Sequence, residues 1–382
     1  MTVDVTLVTD PRFLGGTFQA FRSDILAFCA AGLKVGVIFH KSRNFFQEID
    51  KENPLLLELR DHPGVVANPI KSDTVFLHNP QVFGPRQLDR DNPISLPLHR
   101  RLFMVAHHPP FLGNGALCYD PVTTTTAVAR LCKQRTTVEW LPVSGLVRRQ
   151  LRSFQPLIAV NLMDWPNIFD LQHWRPHREK LLSSTLVVGR HGRAHPDKWP
   201  DNPDEIASSM PAAVKTRVRL LGADHAFFTL RGVDSTGWEI IPFGGEDPRE
   251  FLESLDVFVY FHSATWREAF GRTIAEAMLM NVRCILDPAL RPTFGQNAIY
   301  CAPAETSHVL DNIRRSLPAH RAAAKAAGDW CRACFDSAQI GSRYTSVLES
   351  GIAFSGTGER STSRIETLRK FVGFHRRETR TK

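Results

Sequence analysis

The chain has 382 residues, 43% of them hydrophobic, and a formal net charge of +8. That length suits two α/β domains of ordinary size, each burying its own core, and excludes a single small module. No stretch approaches the roughly 18 uninterrupted apolar residues of a spanning helix. Basic and aromatic residues do not interleave as in a single-strand platform, so no nucleic-acid partner is expected.

Val3 to Thr9 alternates as a strand and lacks a basic n-region, so no secretory signal and a cytoplasmic location are expected. A loop holding Gly15 and Gly16 follows, then a helix to about Ala31 and a strand from Lys34 to Phe39. The fingerprint G-x-G-x-x-G is missing from this first turn, which argues against a nicotinamide enzyme. Strand-like runs come next at Thr74 to His78 and Arg101 to Ala106, the second ending in His107 and His108. Polar residues at the C-terminal end of a parallel strand point toward the ligand crevice of an open sheet. Asp89-Arg90-Asp91 has the spacing with which some transferases hold a manganese-bound diphosphate. It lies in a polar loop beside Arg86 and Pro93, not at a buried strand end, and no metal is expected.

Polar and charged residues between about 170 and 183 interrupt the pattern and predict a hinge. Beyond it, Thr185 to Val188, Val218 to Leu221 and Trp238 to Pro242 read as strands and Pro248 to Leu255 as a helix. Helices from about Glu305 to Leu348 close the fold. They include the pair Cys331 and Cys334, read as buried thiols, because seven cysteines scattered among apolar segments suit a reducing compartment. Residues 350–382 read as partly disordered. The basic cluster His375, Arg376, Arg377, Arg380 and Lys382 suggests peripheral contact with an anionic membrane at the cytoplasmic face.

The most informative segment is Ser263 to Leu286, preceded by the apolar run Val257 to Phe261. It reads strand, loop, helix, strand, with Glu268 in the loop and Glu276 in the helix's opening turns. Gly271 between them lets backbone N–H groups approach a ligand, and the new helix offers unpaired donors and the positive end of its dipole. A phosphate or a sugar hydroxyl suits such a place. Carboxylates accept from vicinal diols, so the second glutamate suits a ribose and the first a hexose on the same nucleotide.

This arrangement resembles the E-x7-E segment of retaining GT-B glycosyltransferases, in particular glycosyltransferase family 4. The resemblance covers most of residues 3–350. It implies two Rossmann-like, doubly wound α/β domains facing across a cleft. Residues 1–172 would form the acceptor side and 183–349 the nucleotide-sugar domain, whose last helix commonly crosses back. By position, Glu268 and the backbone of Phe270, Gly271 and Arg272 would hold the donor sugar, and Glu276 the ribose. Gly15 and Gly16 would approach the diphosphate, and either His107 or His108 would lie beside the transferred sugar. Asn167, Asp170, Trp174 and Pro176 match the segment closing the first domain, with Ile168 replacing a glycine. Arg190 matches a phosphate-binding arginine. The second cation would be Lys198, with Trp199 where glycine is usual, or Arg193. Pro242, Phe243 and Gly244 stand where the family contacts the nucleobase.

The implied reaction moves a hexosyl unit from a nucleotide-diphosphate sugar to a hydroxyl of a glycan or lipid-linked acceptor with retention and without a cofactor. Departure of a nucleoside diphosphate builds negative charge, which two fixed cations and a helix N-terminus stabilise without a metal. The leaving phosphate helps deprotonate the acceptor on the same face, so the glutamates act as binders. Alternatives on the same fold are a sugar-nucleotide epimerase and a phosphorylase. A non-catalytic nucleotide-sugar-binding protein is the alternative of another class.

Overall fold

The structure is a computed structural model describing residues 1–47, 49–88, 94–155, 157–177, 185–213, 215–353, 365, 368, 369 and 372. Asp89 and Asp91, residues 178–183 of the predicted hinge, and His375, Arg376, Arg377, Arg380 and Lys382 lie outside the described residues. The chain divides into two compact units, Met1–Ile168 with Ser337–Lys382, and Phe169–Asp336.

Among the described residues, seven parallel strands build the first unit: β1 (Thr2–Thr9), β2 (Val35–Phe39), β3 (Val65–Ala67), β4 (Lys71–His78), β5 (Arg101–Ala106), β6 (Val138–Pro142) and β7 (Ala159–Asn161). Their order is β7-β6-β5-β4-β1-β2-β3, and the short strand Ile352–Ala353 adds antiparallel to β7. Strands covered on both faces read as continuous apolar runs, and Val75 to Leu77 and Leu102 to Ala106 are fully buried. Helix α1 (Gly15–Ala30) carries Phe18, Phe21, Ile25 and Phe28 on one buried stripe. Phe28 lies 5.8 Å from Phe76 and 6.0 Å from Trp165. Burying such a ring contributes about 1.5–3 kcal/mol, and Phe76→Ala is expected to cost about 3–5 kcal/mol once the cavity is included. The helix Ile340–Glu349 also packs on this unit, with Tyr344 Oη 2.7 Å from Thr74 Oγ1.

Among the described residues the second unit has six parallel strands, β8 (Leu186–His191), β9 (Thr216–Leu221), β10 (Glu239–Ile241), β11 (Val257–Tyr260), β12 (Arg283–Leu286) and β13 (Ile299–Tyr300), ordered β10-β9-β8-β11-β12-β13. The chain steps outward from β8 in one direction and then from β11 in the other, so the order reverses between them. In the first unit the same reversal falls between β1 and β4. Open parallel sheets bind ligands at the C-terminal ends of strands flanking such a switch point. Cys331 and Cys334 lie in the helix Leu317–Phe335, and all seven cysteines are free. Among the described residues no helix is long and apolar enough to cross a membrane.

Candidate active site

In the second unit, β11 ends at Tyr260 and a loop leads to Gly271, the N-cap of the helix Arg272–Leu279. Gly271 has a φ of 80°, a left-handed conformation that favours glycine, and an added Cβ would also fall 2.8 Å from the tip of Ile274. No side chain caps this helix, which leaves first-turn donors for a ligand to satisfy. Phe270 is buried, with ring centroids 5.1 Å from Phe335 and 6.3 Å from Phe294, and so anchors the loop by its side chain.

Three predicted residues converge here around one that the sequence reading missed. Lys198 Nζ and Tyr260 Oη both donate to Glu268 Oε2, each at 2.5 Å. Burial alone raises a carboxyl pKa. Lys198's charge, together with hydrogen bonds from Lys198 and Tyr260, outweighs burial and holds Glu268 at about 2. Arg190 is 4% exposed, donates from Nη1 to the Phe261 carbonyl at 2.9 Å, and lies 4.3 Å from the ring centroids of both Trp199 and Tyr260. Burial lowers it to about 10 against the pull of Tyr260 and Glu268, so it stays cationic at neutral pH. Trp199 is thus one of two rings enclosing the guanidinium.

Glu276 occupies a different setting. It is 7% exposed, with Arg272 Nε 3.1 Å from Oε1 and His191 Nε2 3.3 Å from Oε2. Burial raises it to about 7, with Arg272 opposing. Burial and the nearby Arg190 lower His191 to about 4. Of the remaining predicted residues, Arg193 is exposed, and Pro242, Phe243 and Gly244 follow the end of β10, where Phe243 is 78% exposed.

In the first unit, Gly15 and Gly16 open α1 behind Leu14, which gives no side-chain cap. Gly16 would meet nothing within 4 Å if it carried a Cβ, so its backbone is approachable. The two histidines separate. His107 is 8% exposed with Nε2 3.0 Å from His78 Nδ1, whereas the backbone carbonyl of His108 accepts from Tyr119 Oη at 2.7 Å. Burial and the neighbouring His108 lower His107 to about 3, and burial lowers fully enclosed His78 as well. Thr9 Oγ1 and Asn79 Nδ2 are also buried at these strand ends without a protein partner, Asn79 at a φ of 75°. Among the described residues no group of three His, Cys, Asp or Glu side chains converges to hold a metal ion.

Tyr260, His191 and His78 were given no role in the sequence reading, which noted Trp199 only as a departure from glycine. Tyr260 sits in an apolar run that reads as core, although a buried tyrosine hydroxyl seeks a partner. His191 follows Arg190 directly, and the alternation of a strand sends adjacent side chains to opposite faces, Arg190 toward Tyr260 and His191 toward Glu276.

No protein-family model and no curated protein matches the chain. Solved structures match it in fold. Anabaena Alr3699/HepE, in complex with UDP and glucose, aligns with a TM-score of 0.59 at 15% identity over 91% of this chain and 99% of that one. WaaG, a glycosyltransferase involved in lipopolysaccharide biosynthesis, aligns at 0.54 and 13% over 91% and 100%. AviGT4, a glycosyltransferase involved in avilamycin A biosynthesis, aligns at 0.51 and 15% over 91% and 98%. The fold is GT-B. Its two parallel sheets are the two Rossmann-like domains of that architecture, and likeness at these identities speaks for the fold alone.

Proposed function

We propose that the chain is a retaining glycosyltransferase of the family 4 type, which moves a hexosyl unit from a nucleotide-diphosphate sugar to a hydroxyl of a glycan or lipid-linked acceptor. The observation that carries this reading is the pair of glutamates around an uncapped helix start, one held ionised by Lys198 and Tyr260, the other buried beside Arg272 and His191. The GT-B neighbours support it, two being glycosyltransferases and one holding UDP and glucose.

In this reading Glu268 accepts from hydroxyls of the transferred hexose while Lys198 and Tyr260 fix its carboxylate. Lys198 has three N–H donors and uses one on Glu268, so the others serve a diphosphate oxygen. Arg190 is enclosed by rings and acts through its field, adding positive potential where the leaving group gains charge. Glu276 takes the ribose hydroxyls, and the amides at Gly271 and Arg272 face the phosphate. The departing phosphate accepts the acceptor's proton on the same face of the sugar, so no protein nucleophile takes part.

A non-catalytic nucleotide-sugar-binding protein is the second reading, favoured by the tight closure of Lys198 onto Glu268. Incubation of the full chain with UDP-, GDP-, ADP- and dTDP-sugars, following nucleoside diphosphate release and thermal stabilisation, separates the two. The proposed reaction gives both signals with one donor. Stabilisation without release supports the binding protein, and neither signal rejects both readings.

A further inference from the structure

α1 carries one carboxylate on its buried stripe. Asp24 is 2% exposed among Phe21, Ile25 and Phe28, a costly placement for a polar group unless its oxygens are partnered. Trp165 Nε1–H donates to Asp24 Oδ2 at 2.8 Å and fixes that oxygen. The same Oδ2 lies 3.8 Å from His78 Nε2, and on the far side of the ring His78 Nδ1 meets His107 Nε2 at 3.0 Å. A carboxylate, a fully buried imidazole and a second imidazole with a remaining 8% exposure therefore stand in line at the switch point of the first sheet.

Both rings are neutral near pH 7, because burial holds each well below its ordinary pKa. A neutral pair of imidazoles in contact shares a single proton between the touching nitrogens, so only two arrangements exist. In one, His107 Nε2–H donates to His78 Nδ1, and the proton of His78 sits on Nε2, toward Asp24. In the other, His78 Nδ1–H donates to His107 Nε2, and the bare lone pair of His78 Nε2 faces Asp24 Oδ2, itself an acceptor already taking the Trp165 proton. The distance to Asp24 exceeds a hydrogen bond, but the sign of the interaction still selects the first arrangement. Selecting it also sets the far end of the line, since His107 then carries no proton on Nδ1.

We propose that Asp24 and His78 are positioning residues that hold His107 in its Nε2–H tautomer, leaving Nδ1 to accept a hydrogen bond from a hydroxyl of the carbohydrate substrate. The consequence for turnover rests on the glycosyl-transfer reading; the tautomer does not. Phe21, 5.1 Å from His78 in an edge-on contact, keeps that ring upright so that both of its nitrogens stay in line.

The test is long-range proton–nitrogen correlation spectroscopy on the full chain with 15N-labelled histidine, resonances being assigned with His78→Phe and His107→Gln. The expected spectrum shows both His78 and His107 protonated at Nε2 alone. His107 protonated at Nδ1, or averaged between tautomers in the unsubstituted protein, overturns the proposal. In His78→Phe, the His107 resonances should move to the averaged position. Once a donor is identified, kcat should fall about tenfold, the loss of roughly one hydrogen bond's alignment, with donor KM changed less than twofold. An unchanged kcat in a variant whose tautomer is averaged also overturns the role. Absence of turnover with every nucleotide sugar removes the transfer reading and leaves the spectrum to decide the relay.

Discussion

Each sheet presents polar side chains at its switch point, but the two units do so in opposite electrical states. At β1, β4 and β5 the first unit offers neutral imidazoles, a threonine and an asparagine, while the buried charges that follow β1, Asp10 and Arg12, are paired with each other. At β8 and β11 the second unit offers Arg190, Lys198 and an ionised Glu268. Burial acts on both, so the difference lies in compensation. Lys198 and Glu268 share a short contact that outweighs desolvation for each, whereas His107 has imidazoles beside it, His78 and His108, which do not offset burial. A charged edge suits a group that gains charge as it leaves. A neutral one suits hydroxyls. The same contrast recurs within the second unit, where Glu276 lacks a match as good as that of Glu268 and rises to about 7.

Removing the charge at the best-compensated position should have the largest effect. Glu268→Gln leaves Lys198 and Tyr260 an amide oxygen in place of the charged acceptor they share and is expected to lower kcat/KM about a hundredfold or more, while affinity for the free nucleoside diphosphate changes little. Steady-state kinetics beside calorimetry checks this. Arg190 comes next. Because Trp199 and Tyr260 enclose it, Ala there opens a cavity and confounds charge with packing. Arg190→Met keeps much of the volume, and kcat is expected to fall about ten- to a hundredfold with a smaller change in KM.

Glu276→Gln should weaken binding of the preferred nucleoside diphosphate by about 1–3 kcal/mol, the range for hydrogen bonds to a charged group. It also carries a pH signature. The folded-state pKa of Glu276 lies above its ordinary 4.5, so the folded chain binds the extra proton, and stability falls as pH rises from 4.5 toward about 7. Glu268 has the opposite sign, its contribution being present above 4.5 and lost as pH falls toward about 2. His78, His107 and His191, held below their ordinary 6.5, contribute an opposing rise, so the signature is a difference. In denaturant melts between pH 5 and 8 the stability of the unsubstituted chain relative to Glu276→Gln should fall as pH rises, and relative to Glu268→Gln should stay level. The smallest effect is expected at Phe243, exposed beside β10. Phe243→Ala should leave stability unchanged and weaken nucleotide binding by about 1 kcal/mol, the lower end for stacking on a base.

Much of the fold was legible because its signals are local. β5 reads directly from Arg101 to Ala106, and the strand, loop and helix around Gly271 lie within one short segment. β6 was hidden because its run Val-Glu-Trp-Leu-Pro carries Glu139, buried at 3% and joined to Arg101 by two hydrogen bonds across the sheet. β3 and β7 have three residues each, too few to show a period. The site follows the same rule. Glu268 and Glu276 are visible through their spacing. The Lys198 contact with Glu268 spans 70 positions, and the Asp24 contact with Trp165 spans 141, so only folding brings them together.

The division of labour between a charged and a neutral edge is tested most directly by titrating the full chain with UDP, GDP, ADP and dTDP in a calorimeter. The best binder is then titrated into Glu276→Gln and His107→Gln. The account predicts measurable binding of one nucleotide, weakened about tenfold or more in Glu276→Gln and unchanged in His107→Gln. Binding that is lost in His107→Gln and retained in Glu276→Gln would contradict it.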